Sequence, residues 1–396
     1  MRGTAVSGGA AVVDAVVVIE GGTIVHLGPA VDVPAQWRGL LPPPGDDLLL
    51  PGLVDVHCHG GGGASFPDAV DAQDVRQAAR EHLVHGTTSL VASLVTAPAD
   101  VLVRRTALLA DAVDAGDLIG IHLEGPFLSQ ARRGAQNPAD MIVGDPALVA
   151  RIAEVARGAL RTMTVAPEIP GVADGVGAAD DVLGALVRAG ALPSIGHTDA
   201  SFEQTAAAIG RTTALLAGSR RLTATHLFNG MRPWHHRDPG PVPACLDAAA
   251  RGELVVELVA DGTHLGDGTV RTVFDTLGAE NVVLVTDAMA AAGMADGDYR
   301  LGPLEVRVAG GVARLLTSDG SAGAIAGGTA HLLDVVRAVV AAGVPMVDAV
   351  LSATRTPARL LGLADRGELA PGLRADVLVT DAGLHPRRVL RQGVEV

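Results

Sequence analysis

Eight apolar runs of strand length alternate with helix-period segments through the middle of the chain, and this alternation restricts the architecture most. The runs cover residues 53–56, 88–93, 118–123, 163–166, 192–195, 222–227, 254–259 and 282–286. Amphipathic or Ala-rich segments lie between them, among them 70–85, 99–115, 146–157, 201–216 and 269–277. Pro146 follows Gly144-Asp145, the pattern of a first-turn proline behind an Asp cap. Strands that are apolar throughout are buried on both faces, and βα alternation places them in a parallel sheet covered by helices. No Gly-rich phosphate fingerprint follows the first run. We therefore expect an α/β fold with a closed (β/α)₈ TIM-like barrel, not an open doubly wound sheet.

The chain ends have a different character. Short strand-like pieces at 12–19 and 23–27 flank the turn Glu20-Gly21-Gly22, and similar pieces return at 376–380 and from 389 onward. They predict a small β-sandwich domain built from residues 1–52 and 363–396, with the barrel over 53–362 and a β-ribbon inserted near 299–317. Aromatic residues make up 2% of the chain against 48% hydrophobic, so the core has to be packed from Val, Leu, Ile and Ala. A net charge of −14 disfavours nucleic acid or an anionic membrane as partner. Two cysteines, no signal-peptide pattern and no apolar run of membrane-spanning length lead us to expect a cytoplasmic protein.

The residues that end the apolar runs are chemically alike. The first run leads into Asp55-Val56-His57-Cys58-His59, the third into Glu124 and the fourth into Glu168. The others deliver His197, His226, Asp261 with His264, and Asp287. In a barrel these ends share one face. His57 and His59, two apart on a strand, point the same way, while Cys58 points to the core. With Glu124, His197 and His226 they form a divalent-metal ligand set, and imidazole with carboxylate suits Zn²⁺ first and Fe²⁺ second. Asp287 ends the last strand opposite them, placed to act as catalytic base. His264 either holds a substrate oxygen or lines the rim.

These motifs resemble the amidohydrolase superfamily, and within it the branch that deacetylates amino-sugar 6-phosphates. The likeness runs from Leu50-Pro51-Gly52-Leu53-Val54-Asp55-Val56-His57-Cys58-His59 to Gly367-Glu368-Leu369-Ala370-Pro371-Gly372. It is most specific at His122-Leu123-Glu124-Gly125-Pro126-Phe127, Gly196-His197-Thr198, Thr225-His226-Leu227-Phe228-Asn229 and Val285-Thr286-Asp287-Ala288. The resemblance implies hydrolysis of N-acetyl-D-glucosamine 6-phosphate to D-glucosamine 6-phosphate and acetate. It assigns Glu124, His197 and His226 to a principal metal, and His57 and His59 to a second that only part of the family has. Asp287 becomes the acid/base, Asn229 and the Gly230 backbone hold the sugar phosphate, and His264 contacts substrate. Arg237 matches an arginine that reaches the neighbouring subunit's substrate, which implies a homodimer. Many superfamily members bridge two metals with a carboxylated lysine, and this chain has no lysine at all. It also departs from the pattern at Gln136, where many relatives have His, and at Gly328, often Ser; both lie in substrate-facing loops. The rival readings are a relative acting on another N-acylated sugar or amide, and a silent sugar-phosphate binder.

The remaining histidines receive plainer expectations. His122 either orients a ligand or packs in the barrel, His85 ends a helix, and His331 opens one. His26, His82 and His385 are expected at the surface, and His235 and His236 either assist an anion site or lie in a solvated loop. Arg132 and Arg133 either close over the phosphate or remain exposed.

Overall fold

The computed structural model describes residues 1–175, 181–317 and 321–396. Its central sheet has eight parallel strands in chain order: Leu53–Cys58, Thr87–Leu94, Gly120–Glu124, Leu160–Val165, Leu192–Ile195, Leu222–Ala224, Leu254–Leu258 and Val282–Leu284. The ring meets itself between the last strand and the first. There Asp287 N–H donates to His57 O (2.9 Å), His59 N–H donates to Ala288 O (2.7 Å), and Cys58 bridges Ala288. Nearly every strand residue is buried, the property that made the strands legible as unbroken apolar runs.

The surrounding helices begin where the sequence offers caps. Asp145 accepts from Ala147 and Leu148 N–H ahead of Pro146–Ala156, with Pro146 in the first turn. Ser201 and Gln204 form a reciprocal capping box at Phe202–Leu216. Asp71 caps Ala72–Val84, whose inner face carries Val75, Ala78, Ala79 and His82. That face corrects one expectation. His82 is fully buried, not at the surface, because it sits one heptad after Val75 on the side turned to the first strand. Its Nε2 lies 2.8 Å from Gly60 O and 3.2 Å from Cys58 Sγ, and burial pulls its pKa down to about 4. His26 is half-buried beside Trp37, and His385 is exposed.

Both chain ends contribute to a seven-stranded sheet with Leu48–Pro51 at its centre. That strand runs parallel to Arg2–Ser7 on one side and antiparallel to Val377–Thr380 on the other. The sheet curls until Thr23 bridges Arg374, around a core that includes Ala15, Val17, Ile24, Leu49 and Val377. A separate four-stranded antiparallel sheet, Gly297–Leu301, Leu304–Ala309, Val312–Leu316 and Ala322–Ile325, covers more chain than a simple ribbon. Its buried residues Leu301, Val306, Val308 and Ala313 pack with Val95, Met289 and Ala291 of the barrel loops. No helix among the described residues is long and apolar enough to cross a membrane.

His331 precedes the helix Leu332–Ala341 and ties it to its first turn. Asp334 Oδ2 accepts from His331 N–H (3.0 Å) and lies 3.3 Å from His331 Nδ1, while Oδ1 accepts from Arg337 (2.6 Å). Burial alone would raise the Asp334 pKa, but the His331 hydrogen bonds outweigh it and hold it at about 2. A carboxylate depressed on folding stabilises above its unfolded pKa, here 3.8, and that contribution fades as pH falls towards 2. Asp334→Asn should therefore lower the melting temperature at pH 6, and the gap to the wild type should narrow steadily between pH 4 and 2 in thermal melts.

Candidate active site

Strand ends bring the acid and imidazole groups into one buried cluster. Glu124 Oε1 lies 2.9 Å from His197 Nε2 and 2.8 Å from His226 Nε2. Glu124 Oε2 is 3.2 Å from His59 Nε2. Asp287 Oδ1 is 3.3 Å from His57 Nε2 and 3.2 Å from His59 Nε2, and the two nitrogens are 3.1 Å apart. His197, His226 and Asp287 leave their strands with left-handed φ values of 46°, 28° and 48°. Such non-glycine conformations cost about 1–3 kcal/mol each and concentrate at functional sites. Gly230, at φ 62°, passes so near His197 that a Cβ there would lie 2.7 Å from Nδ1.

For three of the four imidazoles the far ring nitrogen reveals how the ring is oriented, while Nδ1 of His226 is buried without a partner. Nδ1 of His197 faces Arg132 O (2.7 Å), Nδ1 of His59 faces Ser93 O (3.2 Å), and Nδ1 of His57 faces Glu257 Oε2 (3.2 Å). Oxygen acceptors fix a proton on each Nδ1, so the three rings turn Nε2 towards Glu124 and Asp287. Lone pairs and carboxylate oxygens at about 3 Å repel unless positive charge lies between them. The protonation of His59 expresses this. Burial works to discharge the ring, yet Asp287 and Glu124 raise its pKa to about 10. Burial likewise opposes the charge on Glu124, but His197, His226 and His59 hold its pKa well below the carboxylate range. His57 and His59 do the same for Asp287. Nitrogen and carboxylate donors converging in this way fit a divalent cation.

His122 belongs to the layer beneath. Its Nδ1 lies 2.9 Å from Ser93 Oγ and its Nε2 2.8 Å from Thr164 Oγ1, so neither nitrogen is free as a ligand. Burial, with His57 close by, keeps its pKa well below the usual histidine value. From Thr164 the hydrogen bonds continue through Thr225 and Ser194 to Thr223 across the barrel interior.

Above the cluster is a cavity of about 260 Å³. Gln136, Asn229, Gly230 and His264 line it, with Leu301, Ala324 and Ile325 from the covering sheet. His264 is held by Asp261, which accepts from its backbone N–H (2.9 Å) and faces its Nδ1 (2.9 Å). Gln136 does not face the cavity with a free amide: Nε2 donates to Glu124 Oε2 (2.6 Å) and Oε1 accepts from Thr96 N–H (2.8 Å). Arg237 is not brought to the cavity; it lies on an exposed stretch with Trp234, His235 and His236. Arg132 is paired with Asp199 (2.7 Å). Glu168 is turned away as well, accepting from Thr198 and Asp199.

The residues 48–394 match the model of the amidohydrolase family. The chain belongs to the amidohydrolase family. An N-acetylglucosamine-6-phosphate deacetylase of Lysinibacillus sphaericus is 33% identical over 87% of this chain and 84% of its own. An N-acetylgalactosamine-6-phosphate deacetylase of Escherichia coli O157:H7 is 34% identical over 88% and 87%. The structure of a Mycobacterium smegmatis N-acetyl-D-glucosamine-6-phosphate deacetylase mutant in complex with N-acetyl-D-glucosamine-6-phosphate aligns with a TM-score of 0.88. It is 38% identical, over 99% of this chain and 97% of that one. The barrel with a separate sheet from the chain ends is thus this amidohydrolase's fold.

Two carboxylates received no role from the sequence, although Asp55 stood in the first strand's motif. Glu257 interrupts the apolar strand Leu254–Leu258 and is buried, which was its visible signal. Asp55 accepts from Thr286 Oγ1 (2.6 Å) and joins the first strand to the last; burial raises its pKa to about 6. Because Glu257 fixes His57 through Nδ1, Glu257→Leu should weaken cation binding ~10–100-fold. Competition with a chromophoric chelator would measure this, with an unchanged far-UV spectrum showing the fold intact.

Proposed function

We propose that this amidohydrolase removes the acetyl group from N-acetyl-D-glucosamine 6-phosphate, giving D-glucosamine 6-phosphate and acetate in amino-sugar catabolism. The observation that carries the reading is the pairing of a Glu124–His197–His226 cluster fit for a cation with Asp287 in the lining of one cavity. Relatives acting on amino-sugar phosphates across most of the chain support the substrate class. Glu124, His197 and His226 would hold the principal divalent cation, with Zn²⁺ the first choice and Fe²⁺ the second, and His57 and His59 would help hold another. A cation there supplies a Lewis acid for the acetyl carbonyl and for an attacking water.

Asp287 takes a proton from that water as its oxygen adds to the acetyl carbon. The same carboxyl then gives a proton to the sugar nitrogen, the C–N bond breaks, and acetate leaves carrying the oxygen of water. His57 and His59 favour its ionised form, the form that can take up a proton. His264 donates Nδ1–H to Asp261, which leaves Nε2 for contact with the substrate. Asn229 and the Gly230 backbone bind the phosphate end, and Gln136 lines the sugar's side. Arg237, exposed in one chain, would reach the phosphate of a second copy, making the working unit a cytoplasmic homodimer.

Acetate release from the phosphorylated and free sugars, before and after chelation and metal restoration, tests the reading. It expects metal-dependent release with strong preference for the phosphate, and no release from either sugar would refute it. The galactosamine isomer belongs in the same assay, given the E. coli relative. Asp287→Asn should retain bound metal and lose kcat by ~10²–10⁴-fold. Arg237→Ala should raise KM for the phosphorylated sugar ~10–100-fold, as expected for loss of a charge-assisted contact, with kcat little changed.

A further inference from the structure

Gln136 reaches the carboxylate at the centre of the cluster, and its role rests on the cation reading above. Gln136 is almost fully buried, and both ends of its amide are fixed. Thr96 N–H can only donate, so the amide oxygen must face it (2.8 Å), and the NH₂ group must face Glu124 Oε2 (2.6 Å). Thr96 Oγ1 donates to the backbone oxygen of Glu124 (3.1 Å), so one turn of chain locks the strand end and its carboxylate together.

This contact makes the two oxygens of Glu124 unequal. Oε1 is left to His197 Nε2 and His226 Nε2, with His57 Nε2 at 3.9 Å. Oε2 already accepts a short hydrogen bond, and it is the oxygen nearest His59 Nε2, at 3.2 Å. A carboxylate bridging two cations has to offer an oxygen to each, and one that accepts an N–H is a poorer ligand because its charge is partly neutralised.

We propose that Gln136 is a positioning residue that grades the two cation positions. The position at Glu124 Oε1, His197 and His226 fills first. The position at His57, His59 and Asp287 fills second and more weakly, because Glu124 Oε2 is shared with the Gln136 amide.

Zinc titration of the metal-stripped full chain, followed by calorimetry and by direct metal analysis, tests this. The wild type should bind in two steps whose dissociation constants differ at least ~10-fold. Gln136→Met keeps the length and removes the N–H; it should weaken the first step, tighten the second and collapse the ratio. Gln136→Asn, too short to reach both partners, should do the same should the Met variant fold poorly. A wild type that holds only one zinc fits the proposal if either variant gains a second. Loss of fold would weaken both steps together, so the ratio separates positioning from mere structure. Two equal steps in the wild type, or a ratio unchanged in both variants, would overturn the proposal. Zinc bound by none of the proteins would overturn the cation reading itself.

Discussion

Three imidazoles whose Nδ1 protons are committed elsewhere aim their Nε2 atoms at Glu124 and Asp287 inside one buried pocket. Nitrogen and carboxylate at such distances need a proton or a cation between them, and the surrounding groups hold them there. Arg132 O, Ser93 O and Glu257 each hold a ring from behind. His122 and the hydroxyls of Thr164, Thr225, Ser194 and Thr223 satisfy one another beneath, so a polar layer lies inside the barrel without orphaned groups along that chain.

The backbone contributes to the same end. His197, His226 and Asp287 take left-handed φ where their strands stop, which swings each side chain inward over the barrel mouth. Packing from the adjacent strands outweighs the local cost. Gly230 supplies the complementary condition, a chain passing close enough to His197 to leave no room for a side chain.

Sequence pattern revealed the barrel because a strand buried on both faces is written as an unbroken apolar run, and the helix starts because Asp145 and Ser201 carry explicit capping chemistry. The Glu124, His197, His226, His57, His59 and Asp287 cluster was legible because barrel strand ends share one face. Partnerships between distant loops were not legible. Nothing near Gln136 announces that it reaches Glu124, since the contact depends on how the loop folds back over the second strand's end at Thr96. Glu257 was visible as a charge in an apolar strand, but its partner His57 lies 200 positions away. His82 was misplaced because a single histidine on an otherwise mixed helix reads as polar, while helical spacing from Val75 turns it inward.

The curled sheet at the chain ends bears on how such a molecule is made. Its central strand, Leu48–Pro51, leads directly into the first barrel strand, yet one of its two partners is Val377–Thr380. On a ribosome, that strand edge stays open while the whole barrel is being synthesised, and it is sealed only when Val377–Thr380 emerges. Vectorial synthesis therefore delivers the barrel with a temporary unpaired edge beside its first strand, a template for mispairing between nascent chains. The closing of this sheet therefore waits on a segment made after the barrel.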